Sequence, residues 1–162
     1  MINKISKLEN TNKIESQICD VCGDFRYKIK CYVDHRSRNE TQETYDAGTD
    51  DLQAQLEVAI QYLRDNERQY WQRPKATKMN KCDYFQDFFE IRFKANNLQQ
   101  RPIGYFGPNS NEFTILLWAT EKGNKLDPQS WCKKAYENMQ KIISGNATTT
   151  CLRFNGDKKC SL

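Results

Sequence analysis

Three consecutive stretches with the periodicity of β-strands, in the second half of the chain, most constrain its fold. In Phe88 to Lys94, apolar and charged residues alternate, as expected for a strand with one buried face. Arg101 to Phe106 predicts a second strand, in which Pro102 and Gly104 indicate an edge position or a bulge. Glu112 to Ala119 is almost continuously apolar, which is typical of a central strand. The three stretches therefore predict an antiparallel sheet.

Further elements are predicted on both sides of these strands. Alternation from Phe25 to Val33 indicates a first strand, and residues 35–48 are polar without a period, which favours a loop. Thr49 is a capping residue before an apolar stripe with helical spacing, and Asp127-Pro128 is a helix-start signal before a second stripe. The predicted class is α+β, with a small, mostly antiparallel sheet and helices packed on one face.

Length and composition bound the domain organisation. At 162 residues the chain is long enough for one domain. We divide it into an N-terminal arm or appended element (1–24), a domain (25–145) and a C-terminal tail (146–162), which is either one more short strand or loose. No apolar run approaches the ~20 residues that cross a bilayer, and the first residues lack a signal-peptide core. We therefore expect a cytoplasmic protein without a membrane partner.

The seven cysteines are an odd number scattered over the length. This pattern favours free thiols in a reducing compartment over a disulfide framework. Cys19 and Cys22 form a C-x2-C pair, half of a zinc knuckle, which Cys31 and His35 could complete. A zinc-stabilised regulatory domain is therefore one alternative, although Cys31 on the alternating face of a strand also suits a buried thiol. We expect no bound metal or other cofactor.

Cations dominate the polar positions of the three predicted strands and the turn after them. Arg92 and Lys94 lie two apart on one strand and share a face, and Arg101 begins the next strand. Lys122 and Lys125 follow the third strand. Guanidinium and ammonium groups placed together stabilise the charge that builds on a phosphate during RNA cleavage. The alternative is an ordinary solvated sheet face with ion pairs.

The same strands carry a resemblance to a known family. The segments Phe89-Glu90-Ile91-Arg92-Phe93, Arg101-Pro102-Ile103-Gly104-Tyr105-Phe106 and Phe113 to Lys122 resemble the core of the RelE/HigB superfamily of bacterial toxins, in particular its phage-derived branch. The resemblance covers about residues 25–145. It implies a RelE-like fold and the HigB-like toxin of a toxin–antitoxin system, which is a metal-independent, ribosome-dependent mRNA endonuclease. The implied partners are mRNA on the ribosome and a cognate antitoxin with a DNA-binding domain.

By position, Arg92 and Arg101 match the phosphate-contacting strand residues of that family, and Lys122 matches the cation at the end of the last strand. We assign catalysis to these three and expect them to converge on one anion-binding pocket. Residues assigned to RNA binding are Lys94, Tyr105 and Lys125. The alternative is a non-catalytic RelE-fold module from a phage or mobile element that binds RNA or protein.

Overall fold

The computed structural model describes residues 25–155. The predicted arm (1–24), with Cys19 and Cys22, lies outside the described residues, as do residues 156–162 of the tail. The helices are α1 (Glu40–Asp46), α2 (Asp50–Asp65) and α3 (Trp131–Ile143), with a 3₁₀ turn at Arg68–Tyr70. The strands are β1 (Lys28–Val33), β2 (Ala76–Lys78), β3 (Phe89–Ile91), β4 (Phe93–Ala95), β5 (Leu98–Phe106), β6 (Glu112–Lys122), β7 (Lys125–Asp127) and β8 (Thr148–Cys151).

All eight strands belong to one sheet with the order β2-β3-β5-β6-β1-β8, to which β4 adds beside β5 and β7 beside β6. Every pairing is antiparallel except that of β1 with β6. The α+β class is therefore confirmed, but the sheet is larger than predicted. The short strands β2 and β7 fall in segments without a clear period, and β8 shows that the tail forms a strand.

The central position of β6 is confirmed, since it pairs with β5 on one side and with β1 on the other. Strand β5 is internal and carries a register shift between Ile103 and Gly104, so of the two alternatives the bulge is observed and not the edge. A glycine is required there because a Cβ on Gly104 would lie 2.2 Å from the backbone oxygen of Thr114. The predicted turn at Asn96-Asn97 joins β4 to β5, and both residues have positive φ.

The helices lie on both faces of the sheet, so their expected packing on one face is wrong. The buried side of α2, including Leu56 and Ile60, packs with Ile115 of β6 in one hydrophobic cluster. The buried side of α3 packs with Leu116, the next residue of β6, in a second cluster. Successive strand residues point to opposite faces. Because β5 and β6 are buried on both sides, a single helical layer could not cover them.

Of the local predictions about helix starts, two are corrected and one is confirmed. Residues 35–48 are not all loop: Asn39 accepts a hydrogen bond from the backbone N of Gln42 at 3.0 Å and begins α1. Thr49 caps α2 as predicted, through a hydrogen bond from the N of Leu52 at 3.2 Å. Helix α3 begins at Trp131, because the segment after β6 returns as β7 before the helix starts.

The expectation of free thiols is wrong for three of the cysteines in the described residues. Cys82, before β3, and Cys132, in the first turn of α3, form a disulfide with a Cα–Cα distance of 5.3 Å. Cys151 is disulfide-bonded as well. Cys31 is the one free cysteine among residues 25–155, and its complete burial raises the pKa of its thiol to about 12. The odd number and scattered positions of the cysteines do not prevent these bridges, because pairing depends on how close two cysteines lie in the folded chain.

We predict that Leu56→Ala lowers the free energy of unfolding by about 3 kcal/mol, because it removes buried methyl groups and leaves a cavity between α2 and the sheet. Val58 of the same helix is 52% exposed, so Val58→Ala should change that free energy by less than about 0.5 kcal/mol. Urea denaturation followed by circular dichroism measures both. Equal losses in the two variants would contradict the assigned orientation of α2.

Candidate anion-binding groove

The structure brings Arg92 and Arg101 together at the carboxylate of Glu90. Glu90 lies on β3 and pairs with Ile103 of β5, two residues away from Arg101 along that strand. Its Oε1 accepts a hydrogen bond from Nη1 of Arg92 and lies 4.0 Å from Nε of Arg101. All three side chains are largely buried on the face of the sheet that α3 covers. Two of the three predicted catalytic residues are therefore neighbours.

Arg101 is held by further acceptors on every side. Oε2 of Glu121 on β6 accepts a hydrogen bond from its Nε at 3.1 Å and lies 3.0 Å from its Nη2 in an ion pair. The backbone oxygen of Gln100 accepts from Nη1 at 2.9 Å, and Oε1 of Gln99 accepts from Nη2 at 3.2 Å. Burial, and next the charge of Arg92, lower the pKa of Arg101, whereas Glu90 and Glu121 raise it. The guanidinium is 3% exposed, so it positions its neighbours and has little surface to offer a ligand.

Cations from this network and from neighbouring segments line a groove beside it. We define the basic groove as two adjoining cavities, of about 560 and 480 Å³, which share Arg73 and Arg92. Five cations and no carboxylate line the smaller cavity: Arg73, Lys75, Arg92, Lys94 and Arg101. The larger one is lined by four cations, Arg73, Lys78, Lys81 and Arg92, and by the carboxylates Glu90 and Glu121. The groove as a whole carries an excess of positive charge.

Strand β2 is what completes the groove. It pairs with β3, placing Thr77 opposite Glu90, and the backbone oxygen of Lys75 accepts a hydrogen bond from N of Arg92 at 2.8 Å. This pairing sets the cations of residues 73–81 beside Arg92 and Lys94. No ion pair forms at Arg73, Lys75, Lys81 or Lys94 within the part of the chain that the structure describes. These side chains are therefore available to an anion.

Lys122 and Lys125 do not join the groove. They lie opposite each other in the β6–β7 hairpin, both exposed, and Glu121 pairs with Leu126. Glu121 and Leu126 lie on the face that carries Arg101, so the alternation of side chains puts Lys122 and Lys125 on the other face. The prediction that Arg92, Arg101 and Lys122 converge on one pocket is therefore wrong for Lys122.

Of the other two residues assigned to RNA binding, Lys94 lines the groove and Tyr105 does not. Lys94 is exposed, pairs with Gln99 across the hairpin and lines the smaller cavity. Tyr105 is 6% exposed and packs in the cluster beneath α3. Burial, together with the charge of Glu112, raises the pKa of Tyr105, and its hydroxyl has no hydrogen-bond partner within residues 25–155. It is not a lining residue of either cavity of the groove.

The residues considered for zinc are not gathered by the described structure. Cys31 is completely buried in the cluster beneath α2, whereas His35 is exposed after β1. No group of three histidine, cysteine or acidic side chains suited to a metal occurs in residues 25–155. Across the same residues, no helix has the length and apolar character needed to span a membrane.

Comparisons of the chain with protein-family models, with curated proteins and with solved structures found no match. The geometry of the basic groove is therefore the main guide to function, and the resemblance of the strands to the toxin family remains an expectation.

Sequence reasoning missed Arg73, Lys75, Lys78 and Lys81 as part of the site. Three lysines in ten residues were a signal of positive charge, but nothing local indicates that their segment pairs with β3. The other missed feature is Glu121 on β6, whose carboxylate accepts a hydrogen bond from the buried Arg101 of the neighbouring strand β5. Both depend on long-range pairing, which a single sequence does not display.

We predict that Glu121→Gln lowers the free energy of unfolding by about 2 kcal/mol, because the buried Arg101 loses its ionised acceptor. The matched control is Lys122→Gln, the adjacent exposed residue on the other face, which should cost less than about 0.5 kcal/mol. Chemical denaturation measures both variants. If the control lost as much as Glu121→Gln, the assigned faces of β6 would be wrong.

Proposed function

We propose that the protein binds RNA through phosphate contacts in the basic groove. The observation that carries this proposal is the smaller cavity, which five cations line without a carboxylate. Several of these cations have no acidic partner in the described residues. A polyanion gains most from such side chains, because they replace its condensed counterions, which are released into solution. Arg92 and Lys94 are the two sequence-assigned residues that face this cavity with solvent access.

Three features favour RNA over other phosphate-bearing ligands. The two adjoining cavities form an open groove instead of a closed pocket for one small phosphate compound. The strands that build the groove are also those whose sequences resemble the mRNA-cleaving toxins. The larger cavity adds the partly exposed ring of Trp131, and aromatic side chains beside cations are common where unpaired bases are bound.

We predict that Arg73→Ala and Lys94→Ala each weaken binding of a short fluorescein-labelled single-stranded RNA and lower the slope of log affinity against log salt by about 0.7. Lys141→Ala is the matched control, because Lys141 is an exposed lysine outside the groove and should leave the slope unchanged. Fluorescence anisotropy over a salt series measures the effect.

Three results of this series would count against the proposal. Wild-type protein that binds no RNA would refute it, as would an equal loss in Lys141→Ala. The second probe is single-stranded DNA of the same sequence. Tighter binding of this DNA would indicate that DNA, and not RNA, is the ligand.

The second candidate function is cleavage of the bound RNA, which the contact of Glu90 with two arginines favours. In this mechanism Glu90 accepts the proton of a 2′-hydroxyl, the freed oxygen attacks the adjacent phosphorus, and the 5′-oxygen leaves with a proton from solvent. Arg92, which lines both cavities, stabilises the extra negative charge on the phosphoryl oxygens. Arg101 positions the Glu90 carboxylate between the two guanidinium groups. Lys122 has no role in this step.

This candidate corresponds to the ribosome-dependent toxin implied by the sequence resemblance. Its partners would be mRNA on the ribosome and an antitoxin with a DNA-binding domain, whose acidic surface would cover the basic groove. An adjacent or overlapping reading frame that encodes a helix-turn-helix protein would support it. The binding function stands without that partner, since it requires only the groove.

We predict that Glu90→Gln lowers the rate of RNA cleavage by about 100-fold or more, because a general base contributes at least that factor. RNA affinity should fall much less, since the phosphate-binding side chains remain. Primer extension on mRNA after induction of the protein in cells measures cleavage, with Arg92→Ala as a second test variant and Lys122→Ala as the control.

Cuts at regular codon positions that disappear in Glu90→Gln and persist in Lys122→Ala would support cleavage. If no cuts form while the purified protein binds RNA, the molecule is a binding module. Circular dichroism on each purified variant separates loss of activity from loss of folding.

A further inference from the structure

The disulfide between Cys82 and Cys132 joins two walls of the basic groove. Lys81 and Trp131 both line the larger cavity. Each is the immediate chain neighbour of one of the bonded cysteines, which are 50 residues apart in sequence. The covalent bond therefore sets the distance across this end of the groove.

The wall that contains Lys81 has no regular secondary structure. Within the described residues 79–88, between β2 and β3, no strand or helix forms. Met79 bonds through its N to the oxygen of Phe88 at 2.8 Å, which closes the base of the segment. Beyond the disulfide, the ring of Tyr84 stacks on that of Tyr136 of α3 at 5.2 Å. The segment also packs against α3, since Met79, Cys82 and Phe88 share a hydrophobic cluster with Ala135 and Met139. The disulfide adds a covalent bond between the segment and the first turn of α3.

The two sulfurs differ in their access to solvent. Cys82 is 1% exposed, whereas Cys132 is half-buried at the start of α3. An external thiolate therefore reaches Sγ of Cys132 first. Thiol–disulfide exchange requires such an approach to one sulfur, along the axis of the bond that breaks.

We propose that the Cys82–Cys132 disulfide is a redox switch for the basic groove, so that oxidised protein binds its polyanion tightly and reduced protein binds it weakly. This inference rests on the proposed function. Reduction frees Lys81 and its segment from Trp131, and a ligand must then order that wall at an entropic cost before it gains the same contacts. In the oxidised protein the wall is already in place.

The chemical step is a two-electron exchange with a dithiol reductant. One thiolate of the reductant attacks Sγ of Cys132, the S–S bond breaks, and its electron pair leaves on Sγ of Cys82, which takes up a proton. The second thiolate of the reductant then attacks the reductant's own sulfur in the mixed disulfide and releases the thiolate of Cys132, which takes up the second proton. The protein gains two electrons and two protons, and the reductant becomes a disulfide.

The consequence for the cell depends on the redox compartment. From the sequence we expect a reducing cytosol, where thiol reductants favour the reduced protein without the Cys82–Cys132 bond. An oxidising compartment, or oxidative stress, favours the oxidised protein with the Cys82–Cys132 disulfide. The groove would then bind RNA according to the thiol balance of its surroundings, without a change in the amount of protein.

The test measures the affinity of the full chain for the fluorescein-labelled single-stranded RNA, with and without dithiothreitol. We expect reduction to weaken binding by at least about fivefold, the lower end of typical coupling between two sites. Mass spectrometry after alkylation confirms which cysteines are reduced. Circular dichroism confirms that the reduced chain keeps its secondary structure.

Two variants show which disulfide is responsible. Cys151→Ser removes the other disulfide-bonded cysteine of the described residues and should keep the full response to dithiothreitol. The double variant Cys82→Ser/Cys132→Ser should bind like reduced wild-type protein and show no response. If that variant does not fold, reduction of the Cys151→Ser protein tests the same bond alone.

The outcomes separate this inference from the proposed function. Equal affinity of the oxidised and reduced forms, with alkylation of Cys82 and Cys132 confirmed, would overturn the switch and leave RNA binding intact. A response in the double variant would also overturn it. Absence of RNA binding by the oxidised protein would refute the function on which the switch rests.

Discussion

The burial of one guanidinium group organises the part of the sheet where the groove lies. Arg101 is on β5, an internal strand, and is 3% exposed. A charge in that position is tolerated only where acceptors surround it. Glu121 from β6, Glu90 from β3 and the amide of Gln99 supply those acceptors. Three strands must therefore be in register at this level of the sheet.

The same network separates structural charge from charge that is open to a ligand. Two arginines and two glutamates balance one another inside the sheet, and their main effect is to hold Arg92 and Glu90 at the wall of the groove. Arg73, Lys75 and Lys94 lie around that neutral centre. A patch of cations around a neutral centre is suited to binding an anion, because the paired strands place their backbones beside one another before the ligand arrives.

Several elements could be predicted because their signals are local. The continuous apolar run of β6, the cap at Thr49 and the turn at Asn96-Asn97 each follow from residues close in sequence. The closeness of Arg92 to Arg101 follows from the hairpin that this turn closes, in which their chain neighbours Phe93 and Gln100 pair. Helix α1, the short strand β2 and the disulfide were not predicted. Each is stabilised by contacts with distant residues, and none has a strong period of its own.

The sequence by itself determined the α+β class, the order of the central strands and the concentration of cations on them, since periodicity and charge are written locally. Only the tertiary structure decided which of those cations act together. Arg101 became a buried support, Lys122 was placed on the other face by the alternation of β6, and Arg73 entered the groove through the pairing of β2 with β3. Which side chains meet depends on long-range register, and register depends on what the whole core can bury.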